Sequence, residues 1–154
     1  MQHERYVGFE IKALSNLLRR RLWGSADHHP QGMLTEIEGV LIGYLCHNPD
    51  RELYQKDLER ALCIRSSTAS RLLTRLEAQG LIHRSMGVKD ARMKRITPTS
   101  MAQALNAEAE RRIAATEAAL TQGLSAEEID QFLATAEKLK RNLLREAAGR
   151  GGEG

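Results

Sequence analysis

The sequence predicts a mostly helical protein carrying one small β hairpin. Three observations point to this class. Apolar residues recur at threes and fours along nearly every long segment. Aromatic residues make up only 4% of the chain, as is usual for helical proteins. Two short strand-like runs flank a single glycine-containing, charge-rich turn near residue 90. At 154 residues the chain suits one compact domain or two small lobes with a real core, and 42% apolar with 28% charged residues is ordinary for a soluble globular protein.

Taken in order, Val7, Ile11, Leu14, Leu18 and Leu22 mark an amphipathic helix over residues 5–23. The stretch GSADHHPQG then breaks it, because Gly and Pro favour a loop. Thr35 and Glu38 fit a capping box, in which the hydroxyl and the carboxylate satisfy two orphan backbone N–H groups, so a second helix starts there. It carries Ile37, Val40, Leu41, Tyr44 and Leu45 and stops at HNPD, where Pro49 drives Asn48 out of the helical region. A short helix, QKDLERAL, buries Leu58 and Leu62, and CIRS links it to the next element.

That element is SSTASRLLTRLEAQG, residues 66–80. Ala69, Leu72, Leu73 and Leu76 form one inward stripe, leaving Ser67, Thr68, Ser70, Arg71, Thr74 and Arg75 on the rest of the cylinder. Gly80 suits the left-handed residue that ends such a helix, with Leu81 folding back as its hydrophobic contact. Two short helices joined by a tight turn make a helix-turn-helix whose second helix is the reader. LIHRS and RIT read as strands around the turn MGVKDARMK, so a two-stranded wing with a basic tip follows the reader. At that tip the Asp90 carboxylate is close enough to orient the Arg92 guanidinium, and an Arg held outward on a narrow ribbon suits a minor groove.

Thr99 caps a further helix with Met101, Leu105, Ala109, Ile113 and Leu120, which Gly123 interrupts. A second capping box, Ser125 with Glu128, opens a last helix striped by Ile129, Phe132, Leu133, Ala136, Leu139, Leu143 and Leu144. GRGGEG has the composition of a disordered tail. The first and last two helices carry more apolar stripe than a small lobe covers, which implies a dimerisation bundle with a second copy. The expected divisions are an N-terminal dimerisation helix and loop at 1–32, a DNA-binding lobe at 33–98, C-terminal dimerisation helices at 99–148 and a tail at 149–154.

Charge supports a nucleic-acid partner. Residues 54–97 hold 10 Lys/Arg against 4 Asp/Glu, whereas the rest of the chain holds 13 against 16. A basic lobe on a neutral or acidic scaffold is the footprint of a polyanion binder, although a solvated basic face gives the same count. No apolar run approaches the roughly 20 residues that span a bilayer, and charge interrupts the N-terminal apolar positions, so a cytoplasmic protein without membrane contact is expected. Two cysteines make no disulfide framework, and one His pair without Cys spacing makes no zinc site. No nucleophile, base and carboxylate set, phosphate loop or metal spacing is present, so neither an enzyme nor a cofactor is expected.

The order of helices, the run STASRLLTRLEAQGLIHR, and the DxR wing tip followed by a Thr-capped helix resemble the MarR family of winged-helix transcriptional regulators over nearly the whole chain. The resemblance implies a winged helix-turn-helix lobe inside a mostly helical homodimer. Such a dimer binds a pseudopalindromic operator in double-stranded DNA, usually as a repressor released by a small ligand or an oxidant. Three positions depart from the usual pattern: Arg65 and Tyr54 stand where small capping residues are common, and Pro98 replaces a frequent apolar residue. The start of the reader helix is therefore open by one residue, with Arg65 or Ser66 as its cap.

On this reading the DNA contacts are Ser66, Ser67, Thr68, Ser70, Arg71, Thr74 and Arg75 on the reader, with Arg84, Lys89, Asp90, Arg92 and Lys94 on the wing. A solvated position, or pairing with Glu77 and Glu59, is the alternative role for Arg71 and Arg75. The two readers of a dimer would lie about 34 Å apart, matching successive major grooves. A small aromatic or carboxylate-bearing effector would sit near Trp23, His28, His29 and Tyr44; packing for Trp23 and a solvated loop for the histidines are the competing roles. Thiol-based redox sensing would fall to Cys46 or Cys63. Oxidant-sensing relatives carry their reactive Cys in the first helix, however, where this chain has none; Cys63 reads as a small buried turn residue. A winged-helix protein-interaction module without DNA binding is the other alternative, but it should lack arginines on reader and wing, which this chain retains.

Overall fold

Burying the reader's leucine stripe organises the first half of the molecule. The computed structural model describes residues 6–24 and 34–150. Its elements are α1 (Val7–Trp23), α2 (Glu36–Cys46), α3 (Gln55–Leu62), α4 (Ser66–Ala78), β1 (Ile82–Met86), β2 (Lys94–Pro98), α5 (Ser100–Leu120) and α6 (Ala126–Arg150). The chain divides into two compact units, Met1–Thr116 and Glu117–Gly154.

In the first unit Ala69, Leu72, Leu73 and Leu76 of α4 are all buried, as their spacing requires. The three leucines join Leu41, Ile42 and Leu45 of α2, Leu58 of α3, Leu53, Leu81, Ile82 and Ile96, with Ala102 of α5 closing the cluster. On α2 the covered stripe is rotated from the expected one: Glu38, Leu41, Ile42 and Leu45 are buried, whereas Val40 is 50% exposed. The Thr35 N–H donates to Glu38 Oε2 at 2.8 Å, which supplies the carboxylate half of the expected box.

The turn between α3 and α4 explains one unusual residue. Cys63 has φ 53° and ψ 42°, a left-handed conformation that glycine adopts without penalty and cysteine does not. It is exposed at the C-cap of α3, contrary to the expectation of a small buried side chain. Arg65 is the N-cap of α4 and makes no side-chain cap, so the helix starts at Ser66 with no shift of register. At its other end Gly80 (φ 72°) closes α4: the Leu81 N–H donates to Leu76 O and the Gly80 N–H to Glu77 O, each at 3.0 Å.

β1 and β2 pair antiparallel from Ile82 opposite Pro98 to Met86 opposite Lys94. The hairpin is fastened to the core by a main-chain bond from Ile96 N–H to Leu53 O, 2.8 Å long. Thr99 then joins wing to helix. Its hydroxyl donates to Gly80 O at 2.7 Å and accepts the Ala102 N–H at 3.3 Å. Along α5 the expected stripe faces outward, with Met101, Leu105, Ile113 and Leu120 each at least 41% exposed, whereas Ala102, Asn106 and Thr116 are buried. α1 has no fully buried residue, and Val7, Ile11 and Leu14 lie open in the single chain.

In the second unit Gly123 (φ 82°) breaks the helical run, and Ser125 and Glu128 form both halves of a capping box at 2.8 and 3.2 Å. Phe132, Leu133, Leu143 and Leu144 of α6 are all more than half exposed. The helix runs to Arg150, so residues 149 and 150, read from composition as the start of a tail, continue it.

Candidate nucleic-acid interface

α4 is held by its leucines and presents its other side to solvent. Ser67, Ser70, Arg71, Thr74, Arg75 and Ala78 line an open concavity along that side. Short side chains there allow close approach of another backbone or a base edge. Ser66, Ser67, Ser70, Arg71, Thr74 and Arg75 are exposed and Thr68 is half-buried. Two of these residues are partly committed within the chain. The Thr74 hydroxyl donates to Ser70 O at 3.0 Å, the usual back-bond of a helical Thr, and Ser66 O accepts Gln55 Nε2 at 3.3 Å.

The arginines divide by partner. Arg75 Nε lies 3.1 Å from Oε1 of Glu38, a carboxylate with no exposed surface, so its partner is on α2 and is neither Glu59 nor Glu77. Glu38 Oε1 has no well-angled hydrogen bond, and the contact with Arg75 is an ion pair. Glu77 instead takes Arg84, whose Nε donates to Oε2 at 2.8 Å while Nη2 reaches the same oxygen. Arg84 thereby ties β1 to α4 and is only 23% exposed, which draws it away from the outward cationic row expected of the wing. The same pairing holds the Glu77 carboxyl below its ordinary value.

At the wing tip the expected pairing is present. Asp90 Oδ1 accepts the Arg92 N–H at 3.0 Å and Nε at 3.2 Å, and Arg92 remains 91% exposed. These hydrogen bonds, side chain first and then backbone, lower the Asp90 pKa. Lys89 and Lys94 are exposed on either side. Sequence reasoning missed the brace beneath the tip. Glu52 Oε1 accepts the Val88 N–H at 2.6 Å, and the buried Tyr54 hydroxyl lies under Gly87. The adjoining Glu52 carboxylate pushes the Tyr54 hydroxyl up to about 12, and Tyr54 in turn holds Glu52 low. Only the position of Tyr54 as a departure from a small cap hinted that it had other work.

The expected effector residues are split. Trp23 is half-buried with its indole against α2, so close that a Cβ at Gly39 would lie 2.4 Å from it. Tyr44 is half-buried against the core, and its hydroxyl accepts Arg51 Nη1 at 3.4 Å. His28 and His29 lie outside the described residues. Cys46 is half-buried; burial, then the nearby Glu110 charge, pushes its thiol up, the opposite of what a reactive thiolate needs. Among the described residues no group of three His, Cys, Asp or Glu could hold a metal, and no helix is long and apolar enough to cross a membrane.

Residues 34–93, the span from α2 through the wing tip, match the model of the MarR family. Solved structures extend the likeness to more than nine-tenths of the chain. The transcription regulator MarR from Oenococcus oeni PSU-1 is 30% identical, covering 91% of this chain and 99% of its own, with a TM-score of 0.75. MepR of Staphylococcus aureus in complex with DNA is 26% identical, covering 92% and 99%, at a TM-score of 0.78. MepR bound to ethidium bromide matches at 27% identity over 92% and 99%, with a TM-score of 0.53. With a leucine-anchored reader helix, an Asp-oriented wing arginine and full-length relatives at this identity, the chain belongs to the MarR family of winged-helix transcription regulators.

Proposed function

We propose that this protein is a ligand-responsive repressor that binds a pseudopalindromic operator as a homodimer, acting in the cytoplasm by binding rather than catalysis. The observation that carries this reading is the two-sided α4, with leucines inside and a small, polar, cationic face outside, followed directly by a wing whose Arg92 is nearly fully exposed and oriented by Asp90. Ser66, Ser67, Thr68, Ser70, Arg71, Thr74 and Arg75 enter or border the major groove. Lys89, Arg92 and Lys94 follow the adjacent minor groove and backbone, with Asp90 acting through Arg92. The DNA complex of MepR supports this assignment.

Dimerisation through 1–32 and 99–148 is supported by the apolar side chains left open on α1 and α6, Val7, Phe9, Ile11 and Leu17 on the first and Phe132, Leu133, Leu143 and Leu144 on the second. The effector is a small aromatic or carboxylate-bearing molecule held near Trp23, His28, His29 and Tyr44, and the ethidium complex of MepR supports the aromatic class. Genomic-fragment selection with the purified chain tests the reading, followed by binding of the recovered site by wild type and Arg92→Ala across a salt series. A dimer that loses two groove or phosphate contacts should bind more weakly, with a salt slope shallower by about 2. A chain that retains no fragment even at low salt, or a variant with unchanged affinity and slope, would sink it.

A further inference from the structure

The ion pair between α2 and the reader helix bears on which base the reader selects. Glu38 is 0% exposed, so it can touch neither DNA nor water. Its Oε2 accepts the Thr35 N–H at 2.8 Å, which orients the carboxylate, and its Oε1, which makes no hydrogen bond, faces Arg75 Nε at 3.1 Å as an ion pair. A guanidinium offers two pairing edges: Nε with one terminal nitrogen, or the two terminal nitrogens end-on. Glu38 meets the guanidinium at Nε, on the side of the first edge. Arg75 is nevertheless 55% exposed and lines the outer concavity of α4 beside Arg71 and Thr74, so the free part of its fork is on the reading face.

We propose that Glu38 is a positioning residue for DNA recognition, holding Arg75 so that its terminal nitrogens meet a guanine O6 and N7 end-on and so setting the preferred base at one position of each half-site. The inference rests on the DNA-binding reading above. Its physical basis is preorganisation: a long side chain fixed before DNA arrives loses less freedom on binding, and its fork is aimed at one base step. An Arg left to swing would add attraction to any sequence without choosing among them.

The test uses the full chain, a library randomised over one half-site, and competition binding to the selected site and its single-base variants. Wild type should prefer guanine at one position by roughly tenfold or more, and Arg75→Ala and Arg75→Lys should lose that preference. Glu38→Gln and Glu38→Asp should cut it to below about threefold at the same position, leaving preferences elsewhere and the salt slope unchanged. Two carboxylate variants are used so that poor folding of one, seen by thermal melting, leaves the other to decide. A merely structural Glu38 would lower affinity uniformly across sequences. That uniform loss, unaltered preference in the Glu38 variants, or an Arg75→Ala variant that changes no base would overturn the inference. Wild type selecting no sequence at all would instead mean that the DNA-binding reading fails.

Discussion

Substituting Gly87 by Ala should damage the wing through crowding alone. A Cβ at Gly87 would lie 2.6 Å from Tyr54 Oη, 2.8 Å from Tyr54 Cε1 and 2.7 Å from the carbonyl oxygen of Asp90. The first two contacts belong to a side chain packed under the hairpin and the third to main chain, so neither yields cheaply. Gly87 is also pinned by its own N–H, which donates to Met93 O at 2.9 Å. Overpacking of this kind costs about 1–3 kcal/mol. For a chain of this size each kcal/mol lowers the melting temperature by about 2–4 °C, so Gly87→Ala should melt roughly 2–12 °C below wild type. Because Asp90 and Arg92 lie in the same turn, the variant should also bind DNA more weakly than its melting point explains. Tyr54→Phe placed on Gly87→Ala removes the hydroxyl but not the Asp90 carbonyl, and should recover only part of the loss. Circular dichroism melts with a binding titration measure both effects. A Gly87→Ala protein that melts within about 1 °C of wild type and binds equally well would refute the packing argument.

Three further outcomes are expected. Leu73→Ala, at a position with no exposed surface under the reader, should cost about 2–5 kcal/mol in denaturant unfolding, and a loss below about 1 kcal/mol would show that α4 is not anchored there. Gly39→Ala pushes a methyl into Trp23, the single tryptophan, so its fluorescence should shift towards that of an exposed indole; an unchanged spectrum would remove Trp23 from the surface of α2. Glu77 has a lowered folded-state pKa, so its pairing stabilises the protein above the unfolded carboxylate value of 4.5 and that stability is lost as pH falls through the lower folded value. The melting-point gap between wild type and Glu77→Gln should therefore be open at pH 7 and narrow as the pH falls below 4.5, and a gap independent of pH would contradict the Arg84 pairing.

How far the site could be read from the residues depended on distance along the chain. Asp90 and Arg92 are two residues apart, Ser125 and Glu128 three, and the buried row on α4 repeats at threes and fours, so each follows from local geometry. The partners of Arg75 and Arg84 escaped the same reasoning. Arg84 is seven residues from Glu77 with a helix end and a left-handed glycine between them, and Glu38 is on a different helix from Arg75. Val40, expected in the stripe of α2, is exposed, and Ile42, left out of it, is buried, because the apolar run of α2 allows more than one stripe and the packed neighbours select it.

The amino-acid sequence by itself determined the helices, their caps, the wing and the cationic character of the middle of the chain, because propensity, capping and periodicity act over a few residues. Only the tertiary structure decided that Arg75 and Arg84 are drawn to Glu38 and Glu77, and that Tyr54 and Glu52 support the wing from beneath. Ion pairing and close packing depend on which elements the fold brings together, and a one-dimensional pattern carries no record of that proximity.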